Sequence, residues 1–269
     1  MFRHQTTAPR AKSEDKQQRL YESAKVIAHY AASEGLSDAE SLLLGEYEAD
    51  FSRRVLDIGV GPGRTVPWIA PFAQSYVGLD YSLGMVCAAR RNHPERQIEY
   101  GDARNLAQFA DGSFDCVLFS YNGIDSVSHA DRQRVLREVA RVLTPGGLFV
   151  FSTHSLARRL QQSLWESMFA VGAPRSPMQV LKHGVRVALR LGNFVRSRHL
   201  QERQADYAVL LDPGHDFTLP IYYVASGEQV RQLEETGFRV VQMEAEQHPE
   251  FVDERFPYAH YYAARKTVG

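Results

Sequence analysis

The stretch VLDIGVGPGRT, Val55 to Thr65, is a short apolar run that stops at an aspartate and then places glycine at positions 59, 61 and 63. A run of that length, closed by glycines and followed by helix-compatible residues, reads as a buried strand turning tightly into a helix. Glycine supplies the positive φ such a turn needs. Backbone amides and the positive end of the helix are then presented at the carboxyl edge of a parallel sheet. Taken alone, the stretch serves equally as a bare turn or as a ligand floor, so its neighbours must decide.

Outward from it the chain alternates. RVLDIG, SYVGLD, QIEYGD, FDCVLFS and GLFVFSTH read as strands, and RTVPWIAPFA, GMVCAARRN and ADRQRVLREVARVL read as helices between them. Short apolar runs separated by amphipathic helices predict a doubly wound, mostly parallel α/β sheet covered on both faces. Two helices are expected ahead of the glycine run. One spans Arg19–Glu34, and the next begins at SDAESLLLGEY with Ser37 and Glu40 as a capping box.

Past Ser155 the rhythm breaks. Residues 157–203 hold nine Lys or Arg against two Glu, a formal +7 against −8 for the remainder of the chain. A strand-like stretch with a Pro-Gly turn at Pro213 and Gly214 follows, and then SGEQVRQLEETGF, RVVQMEA and AHYYAARK restore the helix and strand pattern. The expected organisation is an arm over residues 1–18, a core over 19–154 and 225–269, and an inserted lid over 155–224.

The 269 residues carry a net charge of −1 and are 44% hydrophobic, which excludes a disordered chain and a polycation built for nucleic acid or anionic lipid as a whole. Cys87 and Cys116 form no CxxC pair and no cluster with histidine, so no disulfide framework or metal site is indicated, and a reducing cytoplasm is the expected home. The first eighteen residues lack the apolar centre of a signal peptide, and no window approaches the roughly 20 apolar residues of a membrane span.

Asp80 ends the strand after the glycine turn, about twenty residues on, where an acid can accept hydrogen bonds from both ribose hydroxyls. Asp102 ends the third strand, and Ser120, Tyr121 and Asn122 follow the fourth. A nicotinamide fingerprint needs glycine at position 64, which is Arg64, and no GxxxxGK[ST] phosphate loop occurs.

In order and spacing, VLDIGVGPGRT, YVGLDYSLGMVCAAR, IEYGDARNL, SFDCVLFSYNGIDSV and VLREVARVLTPGGLFVFS resemble the successive motifs of class I S-adenosylmethionine-dependent methyltransferases. The resemblance covers Val55 to Ser152 and extends to a final helix and strand pair in the family's reversed order. It implies a Rossmann-like seven-stranded sheet with N-terminal helices capping the cofactor, of the small-molecule methyltransferase domain 11/25 type. Gly59, Gly61 and Gly63 are then expected against the methionine part of S-adenosylmethionine, and Asp80 on its ribose diol. Tyr81 and Met85 are expected around the adenine, Asp102 and Ala103 at its amino edge, and Ser120 and Tyr121 behind the sulfonium. Arg64 is expected to grip the carboxylate, because a guanidinium matches that fork. Tyr30 is expected to complete that pocket.

Methyl transfer is an in-line displacement in which positioning does most of the work. A hydroxyl acceptor also asks for a base. His129, His154, His215 and Asp216 are candidates, with Asn122 and Asp125 bordering the acceptor. No [DNS]PP[YFW] stands after the fourth strand and no Pro-Cys pair occurs there, so methylation of DNA adenine, of protein glutamine, or of a pyrimidine ring is not indicated. The lid carries Trp165, Phe169, Phe194, Tyr207, Phe217, Tyr222 and Tyr223, suited to an apolar or aromatic small molecule. Lys182, Arg186 and Arg190 form a like-charged stripe opposite Leu181, Val185, Ala188 and Leu189, which suits an anionic partner: a carboxylated or phosphorylated acceptor, RNA or an acidic membrane surface. The expected activity is methyl transfer to O or N of a small molecule. An RNA methyltransferase using the basic lid and a non-catalytic cofactor-binding protein stay open as alternatives.

Overall fold

The computed structural model describes residues 22–32, 35–161, 177–246 and 257–268. The expected arm, both ends of the first helix, Trp165 and Phe169 lie outside them. The first elements are α1 (Ala24–Ala31), α2 (Asp38–Glu46) and the single turn α3 (Glu48–Phe51). Ser37 caps α2 as expected, its hydroxyl accepting from the Glu40 amide while the Glu40 carboxylate accepts from the Ser37 amide.

Strands β1 (Arg54–Ile58), β2 (Ser75–Asp80), β3 (Gln97–Tyr100), β4 (Phe114–Phe119) and β5 (Leu143–His154) run parallel. Between them lie α4 (Val66–Ile69), α5 (Leu83–Asn92) and α6 (His129–Val142). The helix expected over Arg64–Ala73 is cut to one turn, because Pro67 can only occupy a first turn and Pro71 cannot donate into a second.

After β5 the chain makes α7 (Leu156–Gln161) and α8 (Pro177–Ser197). It then forms a separate antiparallel sheet of β6 (Glu202–Arg203), β7 (Tyr207–Leu211) and β8 (Pro220–Val224). A bridge between Ser155 and Val224 joins the two sheets. The chain returns through α9 (Ser226–Glu235), β9 (Phe238–Glu246) and β10 (Ala259–Lys266). The main sheet has the order β3-β2-β1-β4-β5-β10-β9, so the last two strands are reversed in position and β10 alone runs antiparallel to its neighbours.

Because successive strand residues face opposite sides, the sheet divides the core in two. Leu56, Ile58, Val117, Phe149, Phe151 and Tyr262 meet Val135, Leu136 and Val139 of α6 and Leu233 of α9. Val55, Cys116, Leu118, Leu148 and Val150 meet Leu43 of α2, Ile69 of α4 and Val86 and Ala89 of α5. Doubly wound sheets gather ligands at the carboxyl ends of their strands, and here those ends carry Gly59, Asp80, Asp102, Ser120 and His154.

Phe149 is fully buried, stacked on Phe151 at 4.5 Å and set against Phe238 at 5.6 Å. Truncation to Ala leaves a cavity at the centre of the sheet and is expected to lower unfolding stability by about 3–5 kcal/mol in a urea titration.

Candidate functional site

The floor of the site is the turn after β1. Gly59, Gly61 and Gly63 have φ of +67°, +56° and +100°, values that a side chain makes costly. Gly59 and Gly63 are also crowded: a Cβ there would lie 2.9 Å from the Phe119 ring and 2.4 Å from the His93 ring. Above Gly61 the nearest atom is a backbone oxygen at 4.0 Å, so its bare backbone borders open space. Asp57, fully buried under the turn, accepts from the Thr65 and Tyr76 hydroxyls and ties the strand end to the helix start. Burial pushes its carboxyl up to about 6 against those two bonds.

Asp80 closes the floor at the end of β2. One carboxylate oxygen accepts from the Gly61 amide at 2.9 Å and the other from the Ser82 amide at 2.8 Å. Desolvation outweighs these backbone bonds and raises its carboxyl to about 6. Asp80 borders a cavity of about 720 Å³, within the size range of small-molecule sites.

A buried ion pair makes the wall toward α2. Arg64 donates from both terminal nitrogens to the two oxygens of Glu40, each at 2.6 Å. It also donates to the Gly35 carbonyl at 2.9 Å and to Ser120 Oγ at 3.2 Å. The Tyr261 hydroxyl donates to Glu40 from β10. Burial alone would raise the Glu40 carboxyl, but the Arg64 fork prevails and holds it below the usual range. The guanidinium expected to grip a ligand carboxylate therefore already holds one from the protein, although Arg64 still lines the cavity. Its Cζ lies 4.9 Å from the centre of the Tyr121 ring, and Tyr30 meets Tyr121 edge-on at 6.0 Å.

The opposite end of the cavity is polar in a different way. Tyr121 and Asn122, directly after β4, both adopt left-handed backbone, φ +55° and +57°. That strained turn leads into a 3₁₀ turn, Gly123–Ser126, that buries Asp125. Asp125 accepts from Arg132 Nη1 at 2.6 Å, Thr153 Oγ1 at 2.6 Å and the His154 amide at 2.7 Å, and it faces His154 Nδ1 at 2.7 Å. The carboxylate fixes the proton on Nδ1, leaving Nε2 as an acceptor toward the Tyr258 hydroxyl at 3.0 Å and the Asn122 amide nitrogen at 3.4 Å. Asn122 Oδ1 is buried without a hydrogen-bond partner among the described residues.

A second acid and histidine pair faces the same space. His215 Nδ1 lies 2.6 Å from Asp212 Oδ2, and the Tyr223 hydroxyl donates to Asp212 Oδ1 at 3.3 Å. Burial would raise the Asp212 carboxyl, but the His215 contact outweighs it and holds the group low. Both residues line the cavity.

The cavity collects Tyr30, Gly59, Gly61, Arg64, Asp80, Tyr81, Met85, Asp102, Ala103, Ser120, Tyr121, Asn122, His154 and His215, while Gly63 shapes the turn beneath it. The carboxylate of Asp102 is held in a fork by Arg104, at 2.7 Å to Nη2. Other expectations fall elsewhere. Asp216 turns away to Arg190 at 2.7 Å and Arg186 at 3.1 Å. His129 stacks on Tyr207 at 4.2 Å and meets the Tyr222 hydroxyl at 2.8 Å, outside the cavity lining. Phe194 packs on Phe217, Tyr207 on Tyr222, and Tyr223 with Leu156, Ala208, Leu210 and Ile221, and none of the five lines the cavity. Its rings come instead from Tyr30, Tyr81, Tyr100, Phe119, Tyr121, Tyr258 and Tyr261. Sequence reading placed Glu40 only as a capping residue and did not single out Arg132, Asp212 or Tyr258. Only Asp212 carries a local signal, an acid placed before Pro213 and three residues from His215.

Residues 56–151 match the family described as Methyltransferase domain. A demethylmenaquinone methyltransferase of Renibacterium salmoninarum is 38% identical over 103 residues, 38% of this chain and 42% of that protein. The biotin biosynthesis bifunctional protein BioHC of Cellvibrio japonicus is 34% identical over 142 residues, 52% of this chain and 28% of that protein. The match thus spans well under two thirds of these relatives' lengths. Among solved structures, a SAM-dependent methyltransferase from Methanosarcina mazei superposes with a TM-score of 0.56 at 19% identity, covering 80% of this chain and 92% of its own.

Breaking the Glu40 and Arg64 pair from one side tests the wall. Glu40→Ala strands a buried guanidinium and is expected to cost about 3–5 kcal/mol in urea unfolding, whereas Glu40→Met combined with Arg64→Met recovers most of that loss. Equal losses in the single and double variants would exclude the pair as a buried, mutually compensating contact.

Proposed function

We propose that this chain, whose residues 56–151 carry a methyltransferase domain, binds S-adenosylmethionine and transfers its methyl group to a hydroxyl of a small molecule. The observation that carries the reading is one cavity with two chemically distinct ends: the Gly59–Gly63 turn with Asp80 at one, and His154 oriented by Asp125 at the other. The residues fit such a cofactor. Gly61 leaves backbone open where a side chain would intrude, and Asp80 presents a buried carboxylate suited to two adjacent hydroxyls. The name of the Renibacterium relative, demethylmenaquinone methyltransferase, favours a small-molecule acceptor.

S-adenosylmethionine supplies a methyl group on a positive sulfur whose charge disappears as the acceptor attacks. The chain's own work is then placement and proton removal. Tyr81, Met85 and Ala103 form the adenine side, and the Ser120–Tyr121 turn backs the reacting end. Holding acceptor and donor aligned contributes roughly 7–11 kcal/mol of the barrier reduction. His154 Nε2 takes the hydroxyl proton, Asp125 keeps the ring in the tautomer that can accept it, and Arg132 balances the Asp125 charge. The unpartnered Asn122 Oδ1 is an acceptor available to a donor on the substrate. His215, held by Asp212, and Tyr258 border the acceptor. Residues 155–161 and 177–224 act as a lid over this end, with the described parts of core 19–154 and 225–269 beneath.

Ribose hydroxyls favour the ionised form of Asp80, whose carboxyl is raised to about 6. S-adenosylhomocysteine affinity is therefore expected to hold above that pH and to fall as pH drops through it. Asp80→Asn should remove the dependence and weaken binding about tenfold or more, about 1.4 kcal/mol or upward, read by calorimetry. No heat from the wild-type chain would overturn the cofactor assignment.

His154→Ala is expected to lower kcat for a hydroxyl acceptor by about a hundredfold or more, with S-adenosylhomocysteine affinity unchanged and partial rescue by added imidazole. Transfer of labelled methyl into an extract of small molecules provides the readout. Unchanged turnover in that variant would exclude His154 as the base.

A further inference from the structure

Helix α8 is folded inside out. Its body-facing side presents His183, Val187, Arg190, Asn193, Phe194 and Ser197, which recur three or four residues apart. Arg190 is only 4% exposed and donates to Asp216 and to the Pro213 carbonyl at 2.9 Å, Asn193 donates to the Asp216 carbonyl, and Phe194 meets Phe217 edge-on at 5.8 Å. The apolar stripe points the other way. Val180, Leu181 (64% exposed), Val185, Leu189 (61%), Leu191 and Val195 lie in solvent along a helix of 21 residues, roughly 30 Å. A helix packed for stability buries that stripe and exposes its cations, whereas this one exposes the stripe and buries one cation, Arg190.

We propose that α8 docks on the surface of an anionic lipid bilayer, lying in the plane of the headgroups with this stripe immersed. Charge selects the occupant. Residues 177–201 contain Lys182, Arg186, Arg190, Arg196 and Arg198 and no Asp or Glu. Lys182 and Arg196 are exposed along one flank of the stripe, at the height where long basic side chains reach lipid phosphates, while Arg186 is half exposed and pairs with Asp216 at 3.1 Å. A second copy of this chain is a poorer fit, because pairing two such helices would set these cations side by side with no carboxylate of either helix to meet them. No described helix is long and apolar enough to cross a membrane, so the contact is interfacial. The docked helix also bears on the Asp212–Phe217 segment that brings Asp212 and His215 to the cavity, which sets the polar end of the site next to the lipid surface.

Co-sedimentation of the full chain with vesicles of phosphatidylcholine, with and without phosphatidylglycerol, tests this. Binding is expected to be about tenfold or more tighter with the anionic lipid and to weaken as salt is raised. Leu181→Glu with Leu189→Glu should abolish it, and Lys182→Gln with Arg196→Gln should weaken it at least severalfold, both with unchanged far-UV circular dichroism. None of these four residues lies in the cavity, so each variant should bind S-adenosylhomocysteine as the wild type does. A wild-type chain that stays in the supernatant at low salt overturns the proposal, as does undiminished binding by the Leu181 and Leu189 variant. A dimer in light scattering that this variant dissolves, without vesicle binding by the wild type, would assign the stripe to a second copy and overturns it equally. Loss of several degrees of Tm in the variant, again without vesicle binding, would mean that another part of the chain covers the stripe.

Discussion

Everything at the polar end of the cavity depends on where Asp125 is held. Its carboxylate receives bonds from Arg132 on α6, from Thr153 and the backbone of β5, and from the His154 ring. Arg132 itself is fully buried and reaches on to Thr153 Oγ1 and to Gln229 of α9. A charge buried so deeply is tolerable only when a partner such as Asp125 neutralises it. The hub therefore fixes the 3₁₀ turn after β4, the end of β5 and two helices relative to one another, and the orientation of His154 follows from it.

A second buried pair does the same for the glycine-turn end of the cavity. Glu40 and Arg64 fasten α2 to the glycine turn, and Tyr261 adds β10 to the contact. Between the two hubs stand the left-handed Tyr121 and Asn122, which only an over-determined surround can keep in that backbone region. Strain there turns Asn122 toward His154 and brings Tyr121 to Arg64.

The segment after β5 follows a different logic. Its aromatic residues build small cores of their own, and the buried Arg190 is balanced by Asp216, so the cavity draws few rings from it. The cost of folding α8 with its apolar face outward is offset locally by the Arg190 and Asn193 bonds to the Asp212–Phe217 segment, which leaves the outer face free to meet something else.

Most of the fold was legible because its signals are local. Alternating apolar runs, Ser37 with Glu40, and glycines at 59, 61 and 63 are each read within one element, and the carboxyl-edge location follows from general rules of topology, while the reversed order of the last two strands was implied by the family resemblance. Asp80 and Asp102 could be placed from their positions at strand ends alone. The partners of Arg64, the Arg132 beneath Asp125, and Asp212 and Tyr258 beside the histidines could not, since each contact joins residues from separate elements and no periodicity encodes it. The same holds for the facing of α8. Its sequence determined an amphipathic helix with a basic flank, but which face turned inward was settled by hydrogen bonds to Pro213 and Asp216, because a buried guanidinium must follow its acceptors while an apolar stripe needs only some surface to cover it.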